Sequence, residues 1–423
     1  HPGGNIWRVK GNKYSAASTA EWGTERIDAT GIAQDLLEQR TPTVKDYDDD
    51  GKSTTNITET VAAQEKAAIM QARFGEWLWE DPGRTIRLVD EYNRRFNSIV
   101  LRDYSQDGQR LTLPGMAATI HLRDHQRTAV ARMIAEPAVL LAHAVGAGKT
   151  LEAAAGITEL KRLGLVNKPV VVVPNHMLAQ FSREWLAAYP AARILAASSK
   201  DLAKDQRRGF VARVATHDWD AIILTRTAFE RLELSPQARA DYLERESASL
   251  RAMLSAAKDS ETRMTVKRVE RALQAQEEKI KKALAGPKDH GVSFELTGID
   301  YVLVDEQHDY KNLETASNVI QIQGSGRARD LHMKLDYLRN EHGGRVATFM
   351  TATPIANSVA EAHVMCRYLR PDLLRDAGVE HFDSWAATFG QVVNEIEMDP
   401  SGTDFRQKAR FAKFQNVPEM LRM

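Results

Sequence analysis

The sequence has a single cysteine, Cys366, among its 423 residues. One thiol excludes an intramolecular disulfide framework and a zinc site made of several cysteines. Because proteins without disulfides are typical of reducing compartments, we predict a cytoplasmic location. Long apolar runs are missing as well: none approaches the roughly 20 residues that span a bilayer, and no secretory signal opens the chain. We therefore expect no membrane partner.

Net charge is also absent, since 57 Lys and Arg residues balance 57 Asp and Glu residues. This balance excludes a global basic field, so any contact with nucleic acid has to come from a local surface. Apolar residues are plentiful at 43% of the chain, which predicts a large core and more than one domain. The sequence begins with His1 instead of Met, and we expect a piece of a longer protein.

The most informative segment is LLAHAVGAGKT at 140–150, where an apolar run stops in a glycine-containing loop. Residues without a β-carbon let successive backbone N–H groups close around phosphate oxygens at the start of a helix. The predicted ATP-binding residues of this phosphate loop (Walker A) are Gly146, Ala147, Gly148, Lys149 and Thr150. We predict that Lys149 reaches the β- and γ-phosphates and that Thr150 ligates Mg²⁺. His143 stands where the strict pattern has its first glycine.

A second apolar run ends in an acidic box similar to the DEAH type, YVLVDEQHDYKN at 301–312. The carboxyl ends of buried parallel strands present catalytic groups in this way. We predict that Asp305 holds Mg²⁺ and that Glu306 orients or deprotonates the attacking water. Together with Lys149, these carboxylates are the predicted catalytic residues.

Two further motifs accompany this pair. RVATFMTATPIAN at 345–357 is an apolar strand that ends in a Thr-Ala-Thr sequence before a proline forces a turn. LRDHQ at 122–126 precedes the phosphate loop, and the amide of Gln126 can pair with the donor and acceptor edges of adenine.

Short apolar runs alternate with helical stretches between 116 and 234, for example AVLLAHA, PVVVVP, ARILAAS and AIILTR. This pattern predicts an α/β fold with a parallel sheet covered by helices on both faces. The segment 235–290 interrupts it with charged, alanine-rich sequence whose leucine and valine spacing predicts an antiparallel helical hairpin. That insertion is either a solvated protrusion or a lever that contacts DNA or a partner domain.

The order of glutamine, phosphate loop, acidic box and Thr-Ala-Thr resembles the first motor lobe of superfamily 2 helicases and translocases. DEQHDYKN and TATPIANS are most similar to the Swi/Snf-type branch. The resemblance implies a RecA-like lobe of an ATP-dependent DNA helicase or translocase, a hydrolase that uses ATP and Mg²⁺. Gln307 and Ala352 depart from the alanine and glycine usual in that branch, and neither position carries the metal or the base.

The resemblance also implies roles for residues outside the ATP site. His308, Thr351 and Thr353 would couple the nucleotide to motion, and Asn175, Thr225 and Thr227 match motifs that contact the DNA backbone, expected to be duplex. A second RecA-like lobe would supply arginine fingers. QGSGRAR at 323–329 looks like such a finger motif but lies inside the first lobe, so a helix start with phosphate contacts is the preferred interpretation.

The predicted domains follow from these motifs. They are an N-terminal, mainly α accessory region at 1–115, the first part of the lobe at 116–234, the hairpin insertion at 235–290, the second part of the lobe at 291–370, and a helical connector at 371–423. With GTERIDATGIAQDLLEQR, EYNRRFNSIVLR and TLPGM, the whole chain also resembles the central part of large phage, plasmid and conjugative-element proteins that carry a methyltransferase domain ahead of a helicase domain.

Two other functions stay open at this point. The chain is alternatively a phosphate-loop ATPase that does not act on nucleic acid, or a non-catalytic DNA-binding module derived from a helicase. Nucleic-acid-stimulated ATP hydrolysis by the longer protein separates the main prediction from the first alternative. The second alternative, a non-catalytic module, is disfavoured because the four residues predicted to bind ATP and metal are all present. They are Lys149, Thr150, Asp305 and Glu306.

Overall fold

The computed structural model describes residues 9–37, 41–47, 53–94, 102–203, 205–258, 273–274, 277–278, 280–281, 292–315, 324–355, 359–398, 405–414, 416–417 and 420. These residues fall into two compact units. The larger unit takes its residues from Arg102–Ala316 and Ile320–Asp372, and the smaller from His1–Leu101 and Leu373–Met423.

The N-terminal part of the smaller unit is mainly helical, as predicted. Its elements are a π turn (Ala17–Glu21), α1 (Ala29–Leu37), β1 (Lys45–Tyr47), β2 (Ser53–Thr55), α2 (Ile57–Glu80) and α3 (Pro82–Tyr92). Asn56 caps α2 by accepting a hydrogen bond from the backbone N–H of Glu59. Asp81 caps α3 in the same way, and Pro82 occupies its first position, where no N–H is needed. The strands β1 and β2 pair antiparallel, with Lys45 opposite Thr55, and the turn between them lies outside the described residues.

The larger unit alternates strands and helices. Its elements are α4 (Ser105–Gln109), α5 (Asp124–Ala135), β3 (Ala138–Leu141), α6 (Lys149–Arg162), β4 (Pro169–Val173), α7 (Leu178–Ala188), β5 (Ile194–Ala197), α8 (Arg207–Thr216), β6 (Ala221–Thr225), α9 (Arg226–Glu230), α10 (Pro236–Lys258), β7 (Tyr301–Asp305), α11 (Gly326–His342), β8 (Ala347–Met350) and α12 (Ala360–Leu369). Two 3-10 turns, Phe294–Thr297 and Gln307–Tyr310, precede and follow β7.

Strands β3 to β8 form one parallel sheet in the order β3-β8-β7-β4-β6-β5. Alternate residues of its central strands enter two separate cores, because side chains of a strand point to opposite faces. The core on the side of α8, α11 and α12 contains Val170, Val172, Ile222, Leu224, Val302 and Val304. The core on the side of α5, α6 and α7 contains Val171, Val173, Ile223, Tyr301 and Leu303. The predicted α/β fold with a doubly covered parallel sheet is confirmed.

The strand ends are level with one another along the carboxyl edge of this sheet. Met350 of β8 pairs with both Leu141 of β3 and Asp305 of β7, and Val173 of β4 pairs with Thr225 of β6. The loops that follow these strands therefore emerge side by side. The backbone N–H of Thr351 donates to the carbonyl of Leu141 at 3.2 Å, which extends the pairing by one residue into the loops.

The sequence analysis places the start of the lobe at 116, and the structure begins the larger unit earlier, at Arg102. The reason is the guanidinium of Arg127 in α5, which donates to the carbonyls of Gly108 at 3.0 Å and Gln109 at 3.2 Å. These bonds attach α4 to α5. The segment ahead of the first motif is thus part of the lobe.

The beginning of the predicted insertion at 235–290 is also part of the lobe. Tyr242 and Leu243 of α10 are buried, and the Tyr242 hydroxyl lies 2.8 Å from Nδ1 of His332 in α11. Arg245 forms an ion pair with Asp336 at 2.6 Å. A solvated protrusion is therefore the wrong interpretation for this first arm. Most of the second arm lies outside the described residues, so the hairpin itself stays a prediction.

The prediction of a helical connector at 371–423 is wrong for its second half. The helices α13 (Pro371–Asp376) and α14 (Phe382–Phe389) are followed by β9 (Gly390–Met398) and β10 (Phe405–Phe414). The two strands pair antiparallel, with Phe405 opposite Met398 and Phe414 opposite Gly390. Valine and isoleucine in QVVNEI favour an extended backbone, and the short apolar runs here have no helical period long enough to oppose it.

The buried lysine Lys334 of α11 joins this helix to α9 and provides a test of the packing. Lys334 is fully buried, and its Nζ donates to Asp330 at 2.6 Å and to the carbonyl of Phe229 at 2.7 Å. We expect Lys334→Ala to lower the free energy of unfolding by about 2–5 kcal/mol, because it leaves a cavity at a fully buried site and removes the partner of the half-buried Asp330 carboxylate.

Urea unfolding of this variant measures the effect. The double variant Lys334→Met with Asp330→Leu is the control, and it should lie close to wild type because neither charge remains. A loss of less than about 1 kcal/mol in Lys334→Ala would contradict the assignment of this pair to the packed core.

Candidate functional site

The loop between β3 and α6 has the shape of a phosphate cradle. Gly146 and Gly148 have φ values of +83° and +86°, a left-handed region that strains other residues, and Gly148 is the N-cap of α6. A β-carbon on Gly148 would lie 2.3 Å from Nε2 of Gln126, so this position excludes any larger residue. Lys149 bends back over the loop, and its Nζ donates to the carbonyls of His143 at 3.1 Å and Ala144 at 3.3 Å.

A side chain in the first turn of α5 is hydrogen-bonded to the phosphate loop. Gln126 is only 3% exposed, and its Nε2 donates to the carbonyls of Ala147 at 3.1 Å and Gly148 at 3.3 Å. Its Oε1 accepts from the backbone N–H of Arg123 at 2.9 Å. Both ends of the amide therefore bond the protein backbone in this structure, and its contact with adenine stays a prediction. Gln126 supports the loop that would bind phosphate.

A buried glutamate lies directly behind the same loop. Glu152, in the first turn of α6, is fully buried, and Nδ1 of His143 donates to its Oε1 at 2.8 Å. Nε2 of His125 lies 3.8 Å from the same oxygen. Burial raises the pKa of Glu152, while His143 opposes that shift. His143, which replaces the usual first glycine, thus has a partner that explains its presence.

The acidic box begins at the end of β7. Asp305 is 7% exposed, and burial raises its pKa from 3.8 to about 6, with the Glu306 carboxylate adding to the shift and Lys149 opposing it. The pairing of Met350 with both Leu141 and Asp305 places the phosphate loop and the acidic box at the same edge of the sheet. Glu306 has φ 53° and ψ 53°, a left-handed conformation that is uncommon for a residue other than glycine.

The Thr-Ala-Thr motif is hydrogen-bonded to the acidic box through His308. Nδ1 of His308 lies 3.1 Å from Oε2 of Glu306 and 3.3 Å from Oγ1 of Thr351. Oγ1 of Thr351 also accepts from the backbone N–H of Thr353 at 3.1 Å. The three residues predicted to couple the nucleotide to motion therefore form one connected group with the predicted base.

The three predicted DNA contacts also lie together, at the ends of β4 and β6. Oγ1 of Thr227 donates to Oδ1 of Asn175 at 3.3 Å, and Oγ1 of Thr225 lies 3.4 Å from that of Thr227. Thr225 is buried, and its hydroxyl accepts from the backbone N–H of Ala228 as the cap of α9. Thr225 thus has a capping role in this structure, and its contact with a DNA phosphate stays a prediction. Asn175 is exposed and Thr227 half-buried.

Arginines near this edge are paired with acidic residues. Arg226, whose partners the sequence did not predict, forms an ion pair with Asp309 and donates to the carbonyl of Glu306 at 3.5 Å. Its position one residue after a strand end was the signal available in the sequence. Arg327 and Arg329, of the finger-like motif, are paired with Glu230 and Glu314 respectively.

The donor set suits a magnesium ion bound largely through phosphates. Oδ1 of Asp305 is buried and accepts no hydrogen bond from the described residues. A buried carboxylate oxygen without a partner is costly unless a cation or water meets it. Across the described part of the chain, no three His, Cys, Asp or Glu side chains cluster tightly enough to hold a metal alone. Mg²⁺ typically uses one or two protein ligands and takes the rest from phosphate and water, so the unpartnered oxygen of Asp305 fits this ion, and the Thr150 hydroxyl as a second ligand stays a prediction.

The fold and this arrangement of loops define a helicase-type motor lobe. Residues 133–423, more than half of the chain, match the family described as "Probable helicase domain". The chain belongs to this helicase-domain family, and the predicted helicase identity is confirmed at the level of this family. Residues 1–98 match a second family, a domain of unknown function (DUF8437).

The chain is also similar to "Defense against restriction protein B" of Escherichia phage P1, with 23% identity over 84% of this chain and 18% of the relative. It therefore spans about a fifth of that relative's length. Two solved structures are also similar to this chain: "Sulfolobus solfataricus SWI2/SNF2 ATPase core in complex with dsDNA" and "Sulfolobus solfataricus SWI2/SNF2 ATPase core domain". Both are 15% identical over 66% of this chain, with TM-scores of 0.38 and 0.35 over 40% and 39% of those chains.

In the parts of the chain that the structure describes, no helix is both long enough and apolar enough to cross a membrane.

The raised pKa of Asp305 predicts a pH dependence of metal-dependent nucleotide binding. As the pH falls through about 6, the carboxyl becomes protonated and a proton competes with the cation. We expect the Mg²⁺-dependent part of ATP affinity to fall by up to about tenfold per pH unit below that value. Calorimetric titrations between pH 5 and 7.5 measure this. Asp305→Asn is the control for protonation of ATP itself, and an identical pH profile in this variant would contradict the prediction.

Proposed function

We propose that the chain is the ATP-binding first motor lobe of an ATP-dependent DNA translocase and requires a second lobe for full activity. The observation that carries the proposal is the unpartnered Oδ1 of Asp305, buried at the same sheet edge as the phosphate loop and close enough to Lys149 for that cation to lower its pKa. A buried anionic oxygen beside an open phosphate cradle is the arrangement that a magnesium nucleotide completes.

The phosphate loop would bind the nucleotide through its backbone and one cation. The N–H groups at the start of α6 carry the positive end of the helix dipole, which favours the phosphate oxygens. Lys149 would exchange its two carbonyl acceptors for the β- and γ-phosphates. The Thr150 hydroxyl and Asp305 would hold Mg²⁺, which when bound neutralises the charge that develops on the transferred phosphoryl group.

Glu306 is the proposed base. Its carboxylate would accept a proton from the water that attacks the γ-phosphate. Nδ1 of His308 lies 3.1 Å from Oε2 of Glu306 and 3.3 Å from Oγ1 of Thr351, so displacement of the Thr-Ala-Thr loop would move the imidazole and change the alignment of the base. This connection supports a role of His308 and Thr351 in coupling.

Duplex DNA is the proposed partner, contacted through its backbone. Asn175 and Thr227 present an amide and a hydroxyl at the sheet edge next to the ATP site, groups suited to phosphate and unable to distinguish base pairs by themselves. The described arginines of the finger-like motif are committed to glutamates, which supports the proposal that a second lobe supplies the arginine for the transition state.

Substitution of the phosphate-loop lysine tests nucleotide binding. We expect Lys149→Ala to lower the affinity for a fluorescent ATP analogue with Mg²⁺ by at least about 100-fold, because it removes the side-chain cation that faces the β- and γ-phosphates. Lys200→Ala, at an exposed residue of another loop, is the matched control for loss of one positive charge. Equal affinity of Lys149→Ala and wild type would sink the assignment of the ATP site.

The rate of ATP hydrolysis tests the proposal that this chain needs a second lobe for full activity. The chain alone should hydrolyse ATP barely above background with or without duplex DNA, because its nucleotide site is open to water on the side that a second lobe would cover. A steady-state phosphate-release assay measures this, with Glu306→Gln as the baseline for lost base catalysis. Strong DNA-stimulated turnover by these residues alone would show that the second lobe is not needed.

A further inference from the structure

We propose that Arg226 is a positioning residue that holds Glu306 in its left-handed conformation and connects the surface formed by Asn175 and Thr227 to the ATP site. The proposal rests on the proposed function in two respects, the role of Glu306 as the base and the DNA contact of Asn175 and Thr227. The juxtaposition itself stands on the geometry of the larger unit alone. Arg226 is the first residue of α9, one position after the end of β6.

The side chain of Arg226 turns away from solvent toward the acidic box. It is 14% exposed, one end of its guanidinium forms the ion pair with Asp309, and Nη2 donates to the carbonyl of Glu306 at 3.5 Å. Two contacts from one planar group, one to each end of a four-residue segment, fix the segment's orientation. The Nε of Arg226 is buried and has no partner among the described residues, so the side chain is held by these contacts rather than by a wider network.

The contact to Glu306 falls on a strained part of the backbone. A left-handed conformation costs a residue with a β-carbon about 1–2 kcal/mol and persists only where surrounding contacts enforce it. In Glu306 that conformation turns its carbonyl toward Arg226 and leads directly into the 3-10 turn that carries His308. Loss of the Arg226 contact should let the peptide relax, and the carboxylate of Glu306 would then leave its bond with His308.

The other end of the connection is the predicted DNA surface. Thr227, the next residue, donates to Asn175 across the gap between β6 and β4. Because α9 is only five residues long, a phosphate bound by Asn175 and Thr227 would shift the start of this helix and Arg226 with it. Binding at one site would thereby change the alignment of the base at the other, and such coupling must be reciprocal between the two ligands.

The charges around the guanidinium favour the same role. The guanidinium of Arg226 lies near the carboxylates of Asp305, Glu306 and Asp309, which stabilise its positive charge. A nearby cation, Arg327, destabilises that charge and is itself paired with Glu230. Arg327 therefore offers a matched control. It is an arginine of the same region that is paired with a glutamate but donates nothing to the acidic box in the contacts described.

Hydrogen–deuterium exchange of residues 301–312, without nucleotide, tests the positioning role independently of ATP binding. We expect Arg226→Gln to speed exchange at Gln307–Asp309 about tenfold, and Arg327→Gln to leave it within about twofold, since only the first releases the strained peptide. In a Glu306→Asn background the effect of Arg226→Gln should shrink to about threefold or less, because asparagine adopts the left-handed region more readily. Unchanged exchange in Arg226→Gln, or an equal effect in both backgrounds, would overturn the proposal.

Linkage between ligands tests the connection. The affinity for a non-hydrolysable fluorescent ATP analogue is measured with and without a saturating short DNA duplex. The ratio of these two affinities should differ from one in wild type and approach one in Arg226→Gln. A wild-type ratio of one, or the wild-type ratio retained in the variant, would overturn the coupling. If Lys149→Ala binds the analogue as wild type does, the proposed ATP site fails, and the exchange experiment still decides whether Arg226 positions Glu306.

Discussion

The level pairing of parallel strands at one edge of the sheet is the constraint on which the site depends. Met350 pairs with Leu141 on one side and with Asp305 on the other, so the phosphate loop, the acidic box and the Thr-Ala-Thr loop must leave the sheet side by side. A slip of one residue would turn the central strands' side chains to the wrong faces and separate these loops. The alternating cores on the two faces of the sheet oppose such a slip, and packing and function therefore depend on the same register.

Buried polar side chains then shape each loop. Gln126 bonds two carbonyls of the phosphate loop, His143 bonds Glu152 behind it, and Arg226 bonds the acidic box. The first two contacts belong to the phosphate loop, and the third meets the carbonyl of Glu306, whose left-handed backbone is uncommon for a residue other than glycine. Sites held by supporting side chains on rigid elements keep their geometry when a charged ligand arrives. The helicase-domain lobe thus has two loops, each with a buried side chain that supports it.

The sheet and the positions of the main loops could be predicted because apolar strands ending in polar clusters have few alternatives. Predictions of side-chain partners were weaker. The amide of Gln126 suits adenine and backbone equally, and only the fold brings Ala147 within its reach. Thr225 has the same hydroxyl whether it caps a helix or meets a phosphate. The contact of Arg226 with the acidic box could not be predicted, because it depends on the distance between β6 and β7, which no local sequence pattern contains. The strands β9 and β10 were missed because short apolar runs suit helix and strand alike.

A crystal structure of this chain with Mg²⁺ and a non-hydrolysable ATP analogue tests the central claim most directly. The account predicts the γ-phosphate beside Lys149, the metal about 2.1 Å from the Thr150 hydroxyl, and Oδ1 of Asp305 bonded to the metal or its water shell. It also predicts that Glu306 keeps its left-handed backbone and its contact with Arg226. A nucleotide bound elsewhere, or a metal with no contact to Asp305 directly or through water, would contradict the account.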